Sequence, residues 1–162
     1  MTAAINPSYQ YVIDSSALFD LKNQYPKKIF PGIWERLEEM FHYRLIIAPR
    51  EVLREIKKGN DELVEWAGEY EDNFLEPTDE EYMLVQDILS WYPENIITKY
   101  SLRPWADPFV IACAKHYRLP IIQHETNDPN QFKIPSISKK CNIQCFRLIQ
   151  FFEEENWSFI TA

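Results

Sequence analysis

Glycine, cysteine and histidine are all scarce in this chain of 162 residues, with three of each. Gly32, Gly59 and Gly68 lie too far apart to build a phosphate-cradling P-loop or a dinucleotide-binding GxGxxG turn, both of which need glycine so that backbone can approach phosphate. Nucleotide-cofactor chemistry is therefore not expected. Cys113, Cys141 and Cys145 follow no regular spacing, and an odd number argues against a disulfide framework and for a reducing compartment. Cys141 and Cys145 are four positions apart, which is not the C-x-x-C spacing of a zinc knuckle. The cysteines are expected to act as small apolar fillers. His42, His116 and His124 are not spaced as a metal set, and His124 reads as a loop residue. No stretch approaches the roughly 20 apolar residues that span a bilayer. Met1 to Pro7 carry neither the basic residue nor the apolar run of a secretion signal. A cytoplasmic protein with no membrane partner is expected.

What the chain does contain is a folded protein's composition, with 46% hydrophobic and 15% aromatic residues. The length suits a single domain over residues 1–162. Lys and Arg number 17 against 25 Asp and Glu, a net charge of −8. Such a chain does not hold nucleic acid by bulk charge. A carboxylate cluster that binds a divalent cation remains compatible with it, because the ion neutralises part of the excess.

Strand and helix signals alternate. Tyr9 to Ile13 is β-prone, and Asp14-Ser15-Ser16 can cap a helix from about Ala17. Ile33, Trp34, Leu37, Met40 and Phe41 recur at helical spacing. Arg44 to Ala48 reads as a strand, with Pro49 as the first-turn proline of a helix ending near Gly59. Helices are predicted over Asp61–Tyr70, over Asp79–Trp91 with Thr78 and Glu81 as a capping box, and over Trp105–Tyr117. Leu119 to Gln123 and Gln144 to Phe146 are strands, and Leu148 to Glu155 is the last helix. This alternation predicts an α/β fold with a parallel sheet covered on both faces.

Parallel α/β sheets carry their sites beyond the carboxyl ends of the strands. Four acids are predicted there: Asp14 after the first strand, Glu55 on the helix after the second, Asp107 opening the helix before the third, and Glu125 after the third. Like charges so gathered raise one another's pKa, and a hard divalent cation such as Mg²⁺ or Mn²⁺ offsets the repulsion. Phosphodiester hydrolysis through metal-activated water needs nothing more. Each acid also has a purely structural explanation. Asp14 can cap a helix, Glu55 can be a solvated neighbour of Arg54 and Lys58, Asp107-Pro108 can be an N-cap and first-turn proline, and Glu125 can sit in a polar loop. Their joint placement is what points to a site.

Tyr11-Val12-Ile13-Asp14-Ser15-Ser16 resembles the opening motif of PIN domains, a hydrophobic strand followed by Asp and small hydroxyl residues. Val52-Leu53-Arg54-Glu55-Ile56 resembles the second acidic motif, and Ala106-Asp107-Pro108-Phe109-Val110-Ile111-Ala112 the third. Ile121-Ile122-Gln123-His124-Glu125 stands where the fourth is expected, with Gln123 in a place usually held by Thr. The motif order and the coverage of nearly the whole chain match, and the likeness extends to VapC-like toxins and to PIN-like proteins that open on Asp-Ser-Ser. The resemblance implies a three-layer α/β/α fold and a Mg²⁺- or Mn²⁺-dependent endoribonuclease, often the toxin of a type II toxin–antitoxin pair. It implies Asp14, Glu55 and Asp107 as metal ligands, Glu125 as the fourth acid with Asp128 as its substitute, and Ser16 at a small polar supporting position. RNA is the implied substrate, with a cognate antitoxin and a second copy of the chain as candidate partners.

Two other readings stand beside this one. A PIN-like fold without catalysis would be a protein-interaction module, which the acidic balance and Gln123 favour. A phosphatase with Asp14 as nucleophile would usually carry a second Asp two residues on, where this chain has Ser16. Arg50, Arg54 and Lys58 form either a phosphate-contacting stripe or a solvated face paired with Glu51 and Glu55. Trp91, Tyr92 and Trp105 are read as buried, with base stacking as the alternative.

Overall fold

The computed structural model describes residues 8–59, 61–125 and 132–159, so Asp128 lies outside the described residues. The chain begins with strand β1 (Tyr11–Ile13), followed by helices α1 (Ser15–Gln24) and α2 (Pro31–His42). Strand β2 (Ile46–Pro49) leads into α3 (Arg50–Lys57) and α4 (Glu62–Glu69), and then into β3 (Phe74–Leu75). Helices α5 (Asp79–Leu89), α6 (Glu94–Lys99) and α7 (Asp107–Tyr117) return the chain to β4 (Ile121–Ile122). After α8 (Ile134–Ser138) come β5 (Cys145–Phe146) and α9 (Leu148–Glu154).

All strand pairs are parallel, in the order β3-β2-β1-β4-β5. The result is the α/β/α layering predicted above. The strands are short, and those at the centre of the sheet, from Tyr11–Ile13, Ile46–Ala48 and Ile121–Ile122, are buried. Such unbroken apolar runs are what a sheet covered on both faces requires. Val12 lies opposite Ile47 on one side and Ile121 on the other, so β1 is the central strand. Helix α7 packs across β1, β2 and β4 with α5 alongside it, while α2 and α3 pack on β2 and α9 on β5. Among the described residues no helix is long and apolar enough to cross a membrane.

Several boundaries differ from those read in the sequence. The first strand starts at Tyr11 rather than Tyr9, and the second at Ile46 rather than Arg44. Arg44 instead turns the chain, with a φ of 56° in the left-handed region. Pro49 ends β2 and caps α3 in extended geometry; it is not a first-turn proline. The predicted helices at 79–91 and 105–117 are shorter, the second starting at Asp107. Strand β3 and helices α6 and α8 were not predicted, since two to six residues are too few for a hydrophobic period to declare itself. Asn73 makes β3 possible: its buried amide donates to the Phe41 carbonyl at 2.8 Å and to the Ile46 carbonyl at 2.9 Å, joining the end of α2 to β2. Cys113 is buried, as a filler should be, whereas Cys141 and Cys145 are half-buried; all three are free thiols.

Candidate metal centre

The strand order reverses between β1 and β4, and the acids collect at the carboxyl ends of these two strands. Asp14 follows β1 directly, and its N–H donates to the Ile122 carbonyl at 2.9 Å. Its Oδ2 caps α1, accepting from the Ser16 N–H at 3.2 Å and the Ser16 hydroxyl at 2.7 Å. The structural explanation of Asp14 therefore holds for one oxygen only. Oδ1 is buried and has no hydrogen-bond partner. A buried acceptor left this way is costly unless a cation meets it. Ser16 also accepts from the His124 N–H at 3.0 Å, which ties Asp14 to the segment after β4.

Asp107 is the first residue of α7, and Ala106 occupies the cap position, where no side chain caps the helix. The N-cap explanation of Asp107 thus fails. Glu125 is held by the chain around it: its N–H donates to the Gln123 side chain, and its Oε2 accepts from the Ile134 N–H at 3.0 Å. Asp14, Asp107 and Glu125 each offer an oxygen, and these atoms lie within 4.8 Å of one another.

Glu55 stands beside this trio and is engaged at both oxygens. The Ser15 hydroxyl donates to Oε1 at 2.6 Å, and the Ala106 N–H donates to Oε2 at 3.1 Å. Glu55 therefore fastens the start of α7, and with it Asp107, to the start of α1. Its expected pairing with Arg54 and Lys58 is absent among the described residues. Arg54 pairs with Glu51 at 3.1 Å, and Arg50 with Glu71 at 3.1 Å and Glu76 at 3.5 Å. The solvated-face reading thus fits Arg50 and Arg54.

Burial pushes the Asp14 carboxyl up to about 6, with the charge of Glu125 adding to it and the Ser16 hydrogen bonds opposing. Burial and then the charge of Asp14 take Glu55 to about 6. Asp107 is raised well above the carboxylate range by burial and then by Glu125, Asp14 and Glu55. It is closely surrounded, yet it opens onto a cavity beside Tyr100 and Trp105. Burial raises Glu125 as well, against the Ile134 hydrogen bond and the charge of Lys133. Crowded carboxylates and an orphaned buried oxygen fit a hard divalent cation with oxygen ligands.

Three further residues act on the centre. Arg103 lowers Glu55, and Lys133 lowers Asp107 and Glu125. Tyr92 is buried as expected, but its hydroxyl has no hydrogen-bond partner. Burial and then the charges of Asp107, Glu125 and Asp14 raise its pKa. Nothing local in the sequence marks these residues, because they reach the centre from loops or helix ends remote from the strand ends. His124 is held elsewhere, with Nδ1 2.9 Å from Asp20 Oδ2 and 3.3 Å from Arg147 Nη2.

A family model described as a domain of unknown function, DUF4411, matches residues 11–159. No curated protein matches the chain.

Proposed function

The chain belongs to the DUF4411 family, and we propose that it is a Mg²⁺- or Mn²⁺-dependent endoribonuclease that hydrolyses RNA phosphodiester bonds in the cytoplasm. The observation that carries this reading is the convergence of Asp14, Asp107 and Glu125, whose oxygens lie within 4.8 Å of one another, with the Asp14 Oδ1 buried and without a hydrogen-bond partner. Asp14, Asp107 and Glu125 would hold the ion. A divalent cation there supplies positive charge to a phosphoryl group in the transition state and lowers the pKa of water.

The chain's own residues do the rest. Ser16 keeps Asp14 oriented and joins it to the Glu125 segment. Glu55 is a positioning residue that fixes the start of α7 through the Ala106 N–H. The Tyr92 hydroxyl is buried without a hydrogen-bond partner and would be available as a donor within the centre. The choice of RNA, and of the toxin role in a type II pair, rests on the PIN-like motif order. A cognate antitoxin would then mask the acids, for example with an inserted Arg.

Asp14→Asn and Asp107→Asn are expected to abolish Mn²⁺-dependent cleavage of RNA while circular dichroism reports an intact fold. Full activity in either variant would remove that residue from the mechanism. The second reading is a catalytically silent interaction module, favoured by Gln123, whose buried amide is used to hold the Glu125 backbone. A Mn²⁺ titration separates the two: no binding at millimolar ion and no cleavage support the module. A phosphatase using Asp14 as nucleophile is disfavoured, since Ser16 occupies the place of its second acid and is spent on Asp14 and the His124 N–H.

A further inference from the structure

We infer that the cavity at the amino ends of β4 and β5 is an exosite for the phosphate backbone of RNA, gripping the substrate away from the acids; this rests on the nuclease reading above. The cavity measures about 320 Å³ and lies between the end of α7 and the chain entering β5. Lys115, Arg118, Asn142 and Gln144 line it, together with the half-buried Cys141. Its volume falls at the low end of the range of about 300–1,000 Å³ seen for ligand pockets. Arg118 precedes β4, and Asn142 and Gln144 precede β5, so the cavity occupies the edge of the sheet opposite the acids.

The lining suits phosphate. Lys, Arg, Asn and Gln are side chains that contact phosphate and sugar oxygens. Among the described residues no carboxylate lines the cavity, although acids outnumber bases 25 to 17 in the chain. Lys115 and Arg118 are exposed, as are Lys139 and Lys140 in the adjoining 3₁₀ turn, Lys139–Cys141. Among the described residues none of these four forms an ion pair, whereas Lys22, Lys27, Arg50 and Arg54 do. Exposed cations gathered without counter-charge repel one another, and a polyanion relieves that repulsion while releasing its own counterions. A helix C-terminus attracts cations, which accounts for Lys115 at the end of α7. It does not account for Lys139 and Lys140, or for the choice of Arg at position 118. Arg118 has φ 58° and ψ 51°, a left-handed backbone where glycine is usual and a side chain costs stability. Strain of this kind collects at functional positions.

A short stretch of chain connects the two edges. The Ile134 N–H that opens α8 donates to Glu125, so α8 begins at the acids. Helix α8 and the turn after it then end at Cys141, in the wall of the cavity. Five residues of α-helix and three of 3₁₀ helix cover at most about 13 Å. That is the length of about four nucleotides at a stacked rise of about 3.4 Å. Lys133 stands at the start of this path and Lys139 and Lys140 near its end. An RNA strand lying along it meets a cation at each end, with its cleaved bond at the acids and a later phosphate in the cavity. Bulk charge does not hold nucleic acid on a chain of net charge −8, so a local grip of this kind is what such a substrate requires.

The test measures binding apart from cleavage, in the full chain carrying Asp14→Asn. A labelled single-stranded RNA of about 12 nucleotides, within the site sizes of single-strand binders, is titrated by fluorescence anisotropy with Mg²⁺ present. Adding Lys115→Gln and Arg118→Gly should weaken binding roughly 25-fold at about 0.1 M salt and flatten the log–log salt dependence by about 1.4. Arg118→Gly relieves the left-handed backbone, so its melting temperature should be equal or higher. A merely structural arginine would show that gain with no loss of RNA binding, which overturns the exosite. Should the double variant fail to fold, Lys115→Gln alone decides, with an expected loss of roughly 5-fold. Unchanged affinity and salt slope in the folded variants overturn the proposal. Polyglutamate that competes as well as RNA would assign the cavity to an acidic peptide and overturn it too. If the wild type cleaves RNA while the double variant binds it as tightly as its parent, the exosite falls and the nuclease reading stands. If binding responds as expected while the wild type never cleaves, the exosite stands and the nuclease reading falls.

Discussion

Asp14 uses its two carboxylate oxygens differently, one capping a helix and the other buried without a donor. Holding such groups together destabilises the metal-free fold. The rise of Asp14 from 3.8 to about 6 corresponds to about 3 kcal/mol. The direction follows from linkage. A carboxyl with a raised folded pKa gives up its proton first in the unfolded chain, so stability is lost as pH climbs from about 4 to about 6 and stays lost above that. Asp61, whose pKa is lowered by the Lys22 contact, acts in the opposite sense and at lower pH. Metal-free Asp107→Asn should therefore melt at a higher temperature than metal-free wild type at pH 7, with the gap narrowing toward pH 5. A gap that is absent or widens on acidification would show that Asp107 is not under charge stress. Asp14, Asp107 and Glu125 were legible in the sequence because each lies near a strand end or a helix start, while Glu55, inside α3, was picked out only by its motif. Tyr92, Arg103 and Lys133 were not, because only the folded path of the chain brings them to the acids.

Among the elements, those with their own boundary chemistry were legible. The Thr78–Glu81 capping box is present as read, with the Glu81 N–H donating to the Thr78 hydroxyl at 3.2 Å. Strand β3 has no such signal: two residues cannot show alternation, and its place depends on Asn73 joining distant carbonyls. Asn73→Leu leaves the Phe41 and Ile46 carbonyls without that donor. A loss of about 1–3 kcal/mol in urea unfolding is expected. A neutral result would mean that β3 is anchored by packing alone. The scarcity of glycine also shows at this scale. None of the three glycines has positive φ, and Arg118 takes the left-handed C-cap of α7 at φ 58°, a position where glycine is usual.

For the whole molecule, alternating strands and helices were enough to predict the parallel sheet, but not the strand order. That order depends on which edge each crossover chooses, and the long return through α5, α6 and α7 creates the reversal between β1 and β4. An ion shared by Asp14, Asp107 and Glu125 would bridge that reversal and bind only the folded chain. Mn²⁺ at 100 times its Kd should then raise the melting temperature by roughly 5–10 °C. Sodium chloride at equal ionic strength should not reproduce the gain, and Asp14→Asn should lose it. A shift equal in wild type and Asp14→Asn would assign the effect to the general acidic surface.

The reversal also sets when the centre can exist. Asp14 and Glu55 are made early on the ribosome, while Asp107 and Glu125 arrive with the crossover that brings β4 against β1. A nascent chain halted before β4 carries acids that share no ion. On the nuclease reading proposed above, a cell making this protein would meet cleavage only after the return crossover docks, so synthesis itself would delay its onset.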